Sequence, residues 1–304
     1  MKKAFKIIIG ILAGLAILFG IIQLIPAKDV IENNPFAVSH NKRPLVIAHG
    51  GAKDLFPENT MVAFDGAVAI GIDMLEIDVC LTNDNILITH HDKTIDDMTD
   101  GSGNVRDYTF DELQVFNFGD GFEDLEGNNP YADSHVSVTS LSDVFEKYPD
   151  MLYNVEIKDE GEIGEIAAST LYQLIQDYSL EDQILVPSFS DETINYFREL
   201  TNNSIMTSSA QEETKKFIYF HLAQLDKLVF DIKYEAMQLP LSNSGVNLAT
   251  KAIIRDAHRR NIAVHYWTID DKETMKELIL MGADGIITDR PDLLNEVLDE
   301  LGYK

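Results

Sequence analysis

The sequence predicts an α/β chain: a (β/α)8 barrel of the TIM type, preceded by a single N-terminal transmembrane helix. Three observations carry this prediction. From Pro44 onward, short runs rich in β-branched residues alternate with amphipathic stretches, the pattern of a parallel sheet covered by helices. About eight such units fill the remaining length, which suits one closed barrel of roughly 250 residues. The chain also opens with lysines followed by an uncharged apolar run.

The N-terminal run comes first. Lys2, Lys3 and Lys6 precede residues 7–25, where Gln23 is the one polar side chain. As a helix this stretch spans roughly 28 Å, close to the thickness of a bilayer core. The basic residues stand before it and the first acid, Asp29, stands after it. The positive-inside rule then keeps the tail in the cytoplasm and places the rest outside, as a single-pass protein of the cell membrane with its main domain extracytoplasmic. A cleaved signal peptide is the competing reading. It is disfavoured because Ile25 occupies the position two before Ala27, where a small residue is expected. The expected organisation is tail and anchor over 1–26, a polar linker over 27–43 with Asn33, Asn34 and Pro35 as breakers, and the barrel domain over 44–304.

Within the barrel the candidate strands, in order, are 45–49, 74–79, 86–90, 152–157, 184–189, 204–208, KLVFDI at 227–232, 262–267 and 285–289. Helical patterns separate most of them, at 60–70, 162–178, 191–201, 212–224, 250–260, 271–281 and 292–301. Ala167, Leu171, Leu174 and Ile175 share one face of the second of these. Residues 100–140, rich in Gly, Asp and Asn, read as loop with one short helix at 109–115.

Charge narrows the function. Fifty-one acidic residues against 24 basic ones give a net charge of −27. Nucleic acid is thereby excluded as the main partner, because its backbone demands a basic footprint. The same excess opposes electrostatic adhesion to anionic lipid. An anionic substrate would need a cation supplied locally, and a bound metal supplies one. Cys80 is the lone cysteine, so a disulfide framework and a cysteine zinc site are both excluded. Cys80 itself reads as a buried, inert thiol.

The unusual polar residues fall at strand ends. His49 ends the first candidate strand; Glu76 and Asp78 lie two apart in the second; His90, His91 and Asp92 end the third. Glu156 and Lys158 end the fourth, again two apart, and Trp267 ends a late one. Residues two apart in a strand point to the same side. In a parallel barrel the C-terminal strand ends gather on the face that carries catalysis. Three carboxylates with Lys158 as their sole basic neighbour would repel one another, and a hard divalent cation with oxygen ligands relieves that repulsion. His49 and His91 suit acid–base work near neutral pH. His90, adjacent to His91, must point the other way and reads as non-catalytic. His135, His221, His258 and His265 read as structural.

These residues sit in a longer series of motifs: AHGG at 48–51, FPENT at 56–60, LEIDV at 75–79, HHDKTIDDMTDGSG at 90–103, SLSDVF at 140–145, NVEIKD at 154–159, PSFS at 187–190, YWTID at 266–270 and GADGIITDRP at 282–291. In order and spacing the series resembles the glycerophosphodiester phosphodiesterase family, over roughly residues 44–304. The resemblance implies a (β/α)8 barrel that hydrolyses glycerophosphodiesters to an alcohol and sn-glycerol 3-phosphate with one divalent metal ion. It implies Glu76, Asp78 and Glu156 as metal carboxylates, with Glu58 near them, and His49 and His91 as the acid–base pair. Lys158 would be the phosphate-binding or transition-state cation, and Trp267 a wall of the substrate pocket. Ca2+ and Mg2+ both suit an oxygen-rich site, whereas Zn2+ would prefer a compact His/Cys cluster. One departure stands out: the family usually places Arg where this chain has Gly50, removing a bidentate phosphate clamp. Rival readings are a phospholipase D- or C-like hydrolase of lysolipid or wall-polymer phosphodiesters, and a non-catalytic barrel that only binds.

Overall fold

A computed structural model describes residues 2–24, 34–38, 42–225 and 232–303. The N-terminal apolar run forms helix α1, Lys2–Gln23. Its window Phe5–Ile22 has a mean hydropathy of 2.6 and none of it is buried, which makes it a candidate membrane span.

The rest is a parallel barrel. Its strands are β1 (Leu45–Ala48), β2 (Met74–Leu81), β4 (Leu152–Ile157), β5 (Ile184–Val186), β6 (Met206–Thr207), β7 (Ala236–Leu239), β10 (Ala263–Tyr266) and β11 (Gly285–Thr288). They lie side by side in the order β6-β5-β4-β2-β1-β11-β10-β7. A parallel bridge between Ser208 and Ala236 joins the two ends of that path, backed by the bond from Ser209 N to Ala236 O at 2.8 Å. Two pieces stand outside the ring. Strand β3 (Leu87–Thr89) pairs antiparallel with the far half of β2, and β8 (Ser242–Asn243) with β9 (Val246–Asn247) forms a hairpin just beyond β7.

The seventh barrel strand differs from the expected one. The candidate KLVFDI lies, apart from its last residue, outside the described residues, and the ring position is taken by AMQL at Ala236–Leu239. Four residues with Gln238 inside them carry too little periodicity to be seen as a strand. They pair because β10 offers a complete ladder from Ala263 to Tyr266. The stretch 86–90, read as one more strand of the series, is the antiparallel β3.

Helices cover the outside, and their starts are written locally. Thr60, Ser140, Ser190, Thr250 and Asp271 each accept a hydrogen bond from the backbone N–H three residues on. Two apolar layers lie between sheet and helices, one around Phe64, Tyr153 and Phe197, the other around Tyr266, Met275 and Leu294. A third cluster fills the barrel's interior at the N-terminal ends of the strands: Leu45, Met74, Ala236 and Ala263 surround the fully buried Phe36. Phe36 comes from the chain before β1, so residues 34–38 close the bottom of the barrel. That leaves the C-terminal mouth as the open end.

Candidate active site

At the C-terminal mouth β2 presents Glu76 and Asp78, which alternate with the buried Ile77 and Val79. The pairing of β2 with β4 sets Asp78 opposite Glu156 and Glu76 opposite Asn154. Glu76, Asp78 and Glu156 each bring a carboxylate oxygen to within 4.8 Å of the others. All three are nearly inaccessible to solvent.

Their surroundings hold them in place. Asn59, with φ of 55°, donates from Nδ2 to Asp78 Oδ2 at 3.0 Å and accepts from the Asp78 N–H at 3.1 Å. The Gly50 N–H donates to Glu76 Oε2 at 2.9 Å. Lys158 Nζ lies 3.0 Å from Glu156 Oε1 and 3.5 Å from Asp78 Oδ1. One ammonium cannot balance three carboxylates. Burial, and then the charge of Asp78, push the Glu76 carboxyl up to about 8. The same two causes raise Glu156, and although burial works against the charged Lys158, Asp78 and Glu156 raise it on balance. Three buried carboxylates beside a single ammonium favour a further cation. An all-oxygen donor set of this kind fits a hard divalent cation.

The two histidines flank the carboxylates. His49 follows β1 in a short 3₁₀ turn, and its Nδ1 lies 2.6 Å from Asp289 Oδ1. Burial opposes its protonation, but the Asp289 hydrogen bond and the charges of Glu76, Asp289 and Asp78 prevail and raise it to about 10. With Nδ1 committed to Asp289, Nε2 is the ring nitrogen left for chemistry. His91 is more open, with Nδ1 2.8 Å from Asp92 Oδ1. His90 is buried, donates from Nε2 to the Thr94 carbonyl at 2.9 Å and packs edge-on against Phe118.

A cavity of about 440 Å³ opens above these groups, and His49, Glu76, Asp78, His91, Glu156, Lys158 and Trp267 all line it. Trp267 meets Phe189 edge to face at 6.0 Å, and Lys158 Nζ stands 5.8 Å from the Phe189 ring. The architecture therefore brings together every residue singled out as catalytic, metal-binding or substrate-binding. Glu58 pairs with Lys53 at 2.9 Å and lies against Gly50, whose N–H holds Glu76. Cys80 is buried, its thiol pushed well up by burial and directed at the carbonyls of His90 and Asp92.

Sequence reasoning passed over Asp289 and Phe189. Asp289 follows β11 directly, but several aspartates follow strands, so its position alone does not single it out. Phe189 stands at the mouth beyond β5, but an apolar residue at a strand end resembles core.

Comparison with known proteins bears on the same mouth. The model of the glycerophosphoryl diester phosphodiesterase family matches residues 49–293. A glycerophosphodiester phosphodiesterase of Caldanaerobacter subterraneus is 29% identical over 254 residues, spanning 83% of this chain and 96% of that protein. Lysophospholipase D of Rattus norvegicus is 25% identical over 279 residues, spanning 84% and 86%. Among solved structures, the glycerophosphoryl diester phosphodiesterase domain of a Mycobacterium tuberculosis protein superposes with a TM-score of 0.73 at 17% identity, covering 85% of this chain and 99% of that one. An Oleispira antarctica phosphodiesterase, solved with sn-glycerol-3-phosphate, gives 0.68 at 21% identity, covering 86% and 98%. These structures share the barrel. With the family match running from His49 to the start of the last helix, this chain belongs to the glycerophosphoryl diester phosphodiesterase family, metal-dependent hydrolases that cleave glycerophosphodiesters to an alcohol and sn-glycerol 3-phosphate.

Proposed function

We propose that the carboxylates of Glu76, Asp78 and Glu156 hold one Ca2+ or Mg2+ ion and that His49 and His91 perform the proton transfers. The observation that carries this reading is the convergence of three buried carboxylates and two carboxylate-oriented histidines on one cavity. Held by these three carboxylates, the ion would supply Lewis-acid polarisation of the phosphate. One histidine takes the proton of the attacking hydroxyl, and the other protonates the departing alkoxide. When the attacker is the neighbouring hydroxyl of the glycerol, a new P–O bond forms as the P–O bond to the headgroup breaks. Water then opens the cyclic phosphate to the monoester. Lys158, beside Glu156 and Asp78, offsets charge that develops on the phosphoryl oxygens. Trp267 and Phe189 form the apolar wall against which the carbon face of the substrate rests. A small-molecule diester is the expected partner, in keeping with the sn-glycerol-3-phosphate in the Oleispira antarctica enzyme.

Residues 1–26 act in this reading as an uncleaved anchor, with the barrel outside the cytoplasm, as the flanking lysines favour. A second substrate class, lysolipid, is favoured by the half-exposed Phe189 at the mouth and by relatives named lysophospholipase D.

The test is release of glycerol phosphate from a panel of glycerophosphodiesters, and of acylglycerol phosphate from lysolipids, with and without chelator. Chelator-sensitive turnover is expected, and His49→Ala or His91→Ala should lose about 10²–10⁴-fold with the fold intact. Glu76→Gln and Asp78→Asn should instead raise the metal concentration needed. Turnover indifferent to chelator would overturn the metal assignment. A loss below about tenfold in a histidine variant would overturn that residue's role.

A further inference from the structure

The bottom of the barrel carries a feature the catalytic reading does not use. In a chain of net charge −27, Lys251, Arg255, His258 and Arg259 line one pocket of about 400 Å³ together with Met281 and Gly282. The basic residues lie at positions i, i+4, i+7 and i+8, one face of the helix Lys251–His258 continued by its C-cap Arg259. Both arginines remain about half exposed although each touches Asp256. Helices of a parallel barrel run back against the strands, so the C-terminal ends at His258 and Met281 belong to the end opposite the catalytic mouth.

That end is also where the N-terminal segment docks. Asp284, just before β11, accepts from the Val38 N–H on Oδ1 at 2.7 Å. Its Oδ2 holds His258 Nε2 at 2.6 Å and the Val264 N–H at 2.7 Å. One carboxylate thus ties the incoming chain to the basic pocket. His265 donates to the Phe36 carbonyl at 2.9 Å, and Asn34 to the Glu235 carbonyl at 3.2 Å, which fixes the segment further. Ten residue steps separate Leu24, at the end of the apolar helix, from Asn34. They reach at most about 36 Å.

We propose that this pocket docks on the anionic phospholipid headgroups of the membrane that holds α1, so that the barrel stands on its N-terminal end with the catalytic mouth turned away from the bilayer. The inference rests on the anchor reading of residues 1–26. A short tether delivers the bottom of the barrel to the headgroup layer. Charge then selects which face lies down, because a local basic cluster acts within a Debye length of about 8 Å, where distant acids are screened. The acidic remainder of the surface is repelled. The substrate accordingly reaches the mouth from the aqueous side, as a dissolved diester or a wall polymer, rather than by lateral entry from the bilayer.

The test uses the full chain reconstituted into vesicles that carry an acceptor-labelled lipid. A donor fluorophore is placed at Leu280→Cys, beside the pocket, or at Ser242→Cys, on the hairpin at the catalytic rim. Cys80, buried at 1% exposure, does not compete for label, whereas Leu280 is 60% exposed. In phosphatidylglycerol-containing vesicles, transfer from position 280 should exceed transfer from 242. The difference should shrink in phosphatidylcholine alone, at high salt, and in Arg255→Gln and Arg259→Gln, each neutralisation weakening the docked population about fivefold. Turnover of a dissolved glycerophosphodiester reports that the variants are folded. Equal or greater transfer from 242, or a difference that survives neutralisation, overturns the proposal. Failure of the chain to float with vesicles after an alkaline wash overturns the anchor reading, and the docking with it.

Discussion

Asp289 decides what His49 can do. It fixes the ring through Nδ1 at 2.6 Å, and its charge favours the protonated imidazole. Asp289→Asn keeps the shape but removes the charge, so the prediction is a fall in kcat of at least about 10²-fold with KM little changed. The ionisation belonging to His49 should also move to lower pH in the pH–rate profile, a shift that a merely structural role would not produce. Gly50 beside it is constrained differently. Its φ of +52° lies in the left-handed region, and an added Cβ would stand 3.2 Å from Glu58 Cβ. Gly50→Arg should therefore lower stability by about 1–2 kcal/mol in urea denaturation. At this scale the sequence was legible where chemistry is local. Glu76 and Asp78, or Glu156 and Lys158, declare a shared direction by their spacing alone. Asp289 was not legible in that way, because several aspartates follow strands. What selects it is the ring: β1 pairs with β11 with Ala48 opposite Thr288, and the next residue on each strand is His49 and Asp289.

At the scale of elements, the segment before β1 matters most. Phe36 is fully buried among the first residues of β1, β2, β7 and β10, so it does the work of a bottom plug. Phe36→Ala should cost about 3–5 kcal/mol, the range for emptying an aromatic site, read as a shift in denaturation midpoint with kcat/KM per folded molecule preserved. A chain beginning at residue 34 should accordingly be more stable than one beginning at 44. Loss of activity without loss of stability would show instead that the plug shapes the mouth. The polar run around Asn33, Asn34 and Pro35 announced a break and hid the phenylalanine that follows it. The strand β7 was hidden for a related reason. Its four residues owe their conformation to the ladder offered by β10, and a pairing between segments far apart leaves no local periodicity. Long helices such as Gly161–Tyr178, with an apolar face along their length, were plain from sequence because their information is local.

At the scale of the whole molecule, the metal centre and the stability of the barrel are one problem. The barrel class was legible because alternation and length left little else, yet the cost of its charged mouth appears only when the strands converge. Without a cation, burial and Asp78 raise Glu76 from 4.5 to about 8. The folded state therefore binds that proton more tightly than the unfolded chain does. The stability it contributes is present below pH 4.5 and is lost as pH climbs to about 8. His49 acts in the same direction at higher pH: held at about 10 against an ordinary 6.5, its contribution is complete below 6.5 and lost as pH passes 10. A bound divalent ion reverses the first loss, since it takes the place of the proton on carboxylates that must be ionised to ligate. Metal-free protein should thus weaken steadily from mildly acid to alkaline pH. Added Ca2+ or Mg2+ at a hundred times its Kd should restore about 2.7 kcal/mol near pH 8, and progressively less toward the acid side, where protons compete. For a domain of this size that is a rise in Tm of roughly 5–10 °C by scanning calorimetry. Glu76→Gln removes both the titration and a ligand, so it should flatten the metal-free pH dependence and abolish most of the metal-induced rise. An equal rise in Tm at acid and alkaline pH, or one that survives in that variant, would place the ion somewhere other than the three carboxylates.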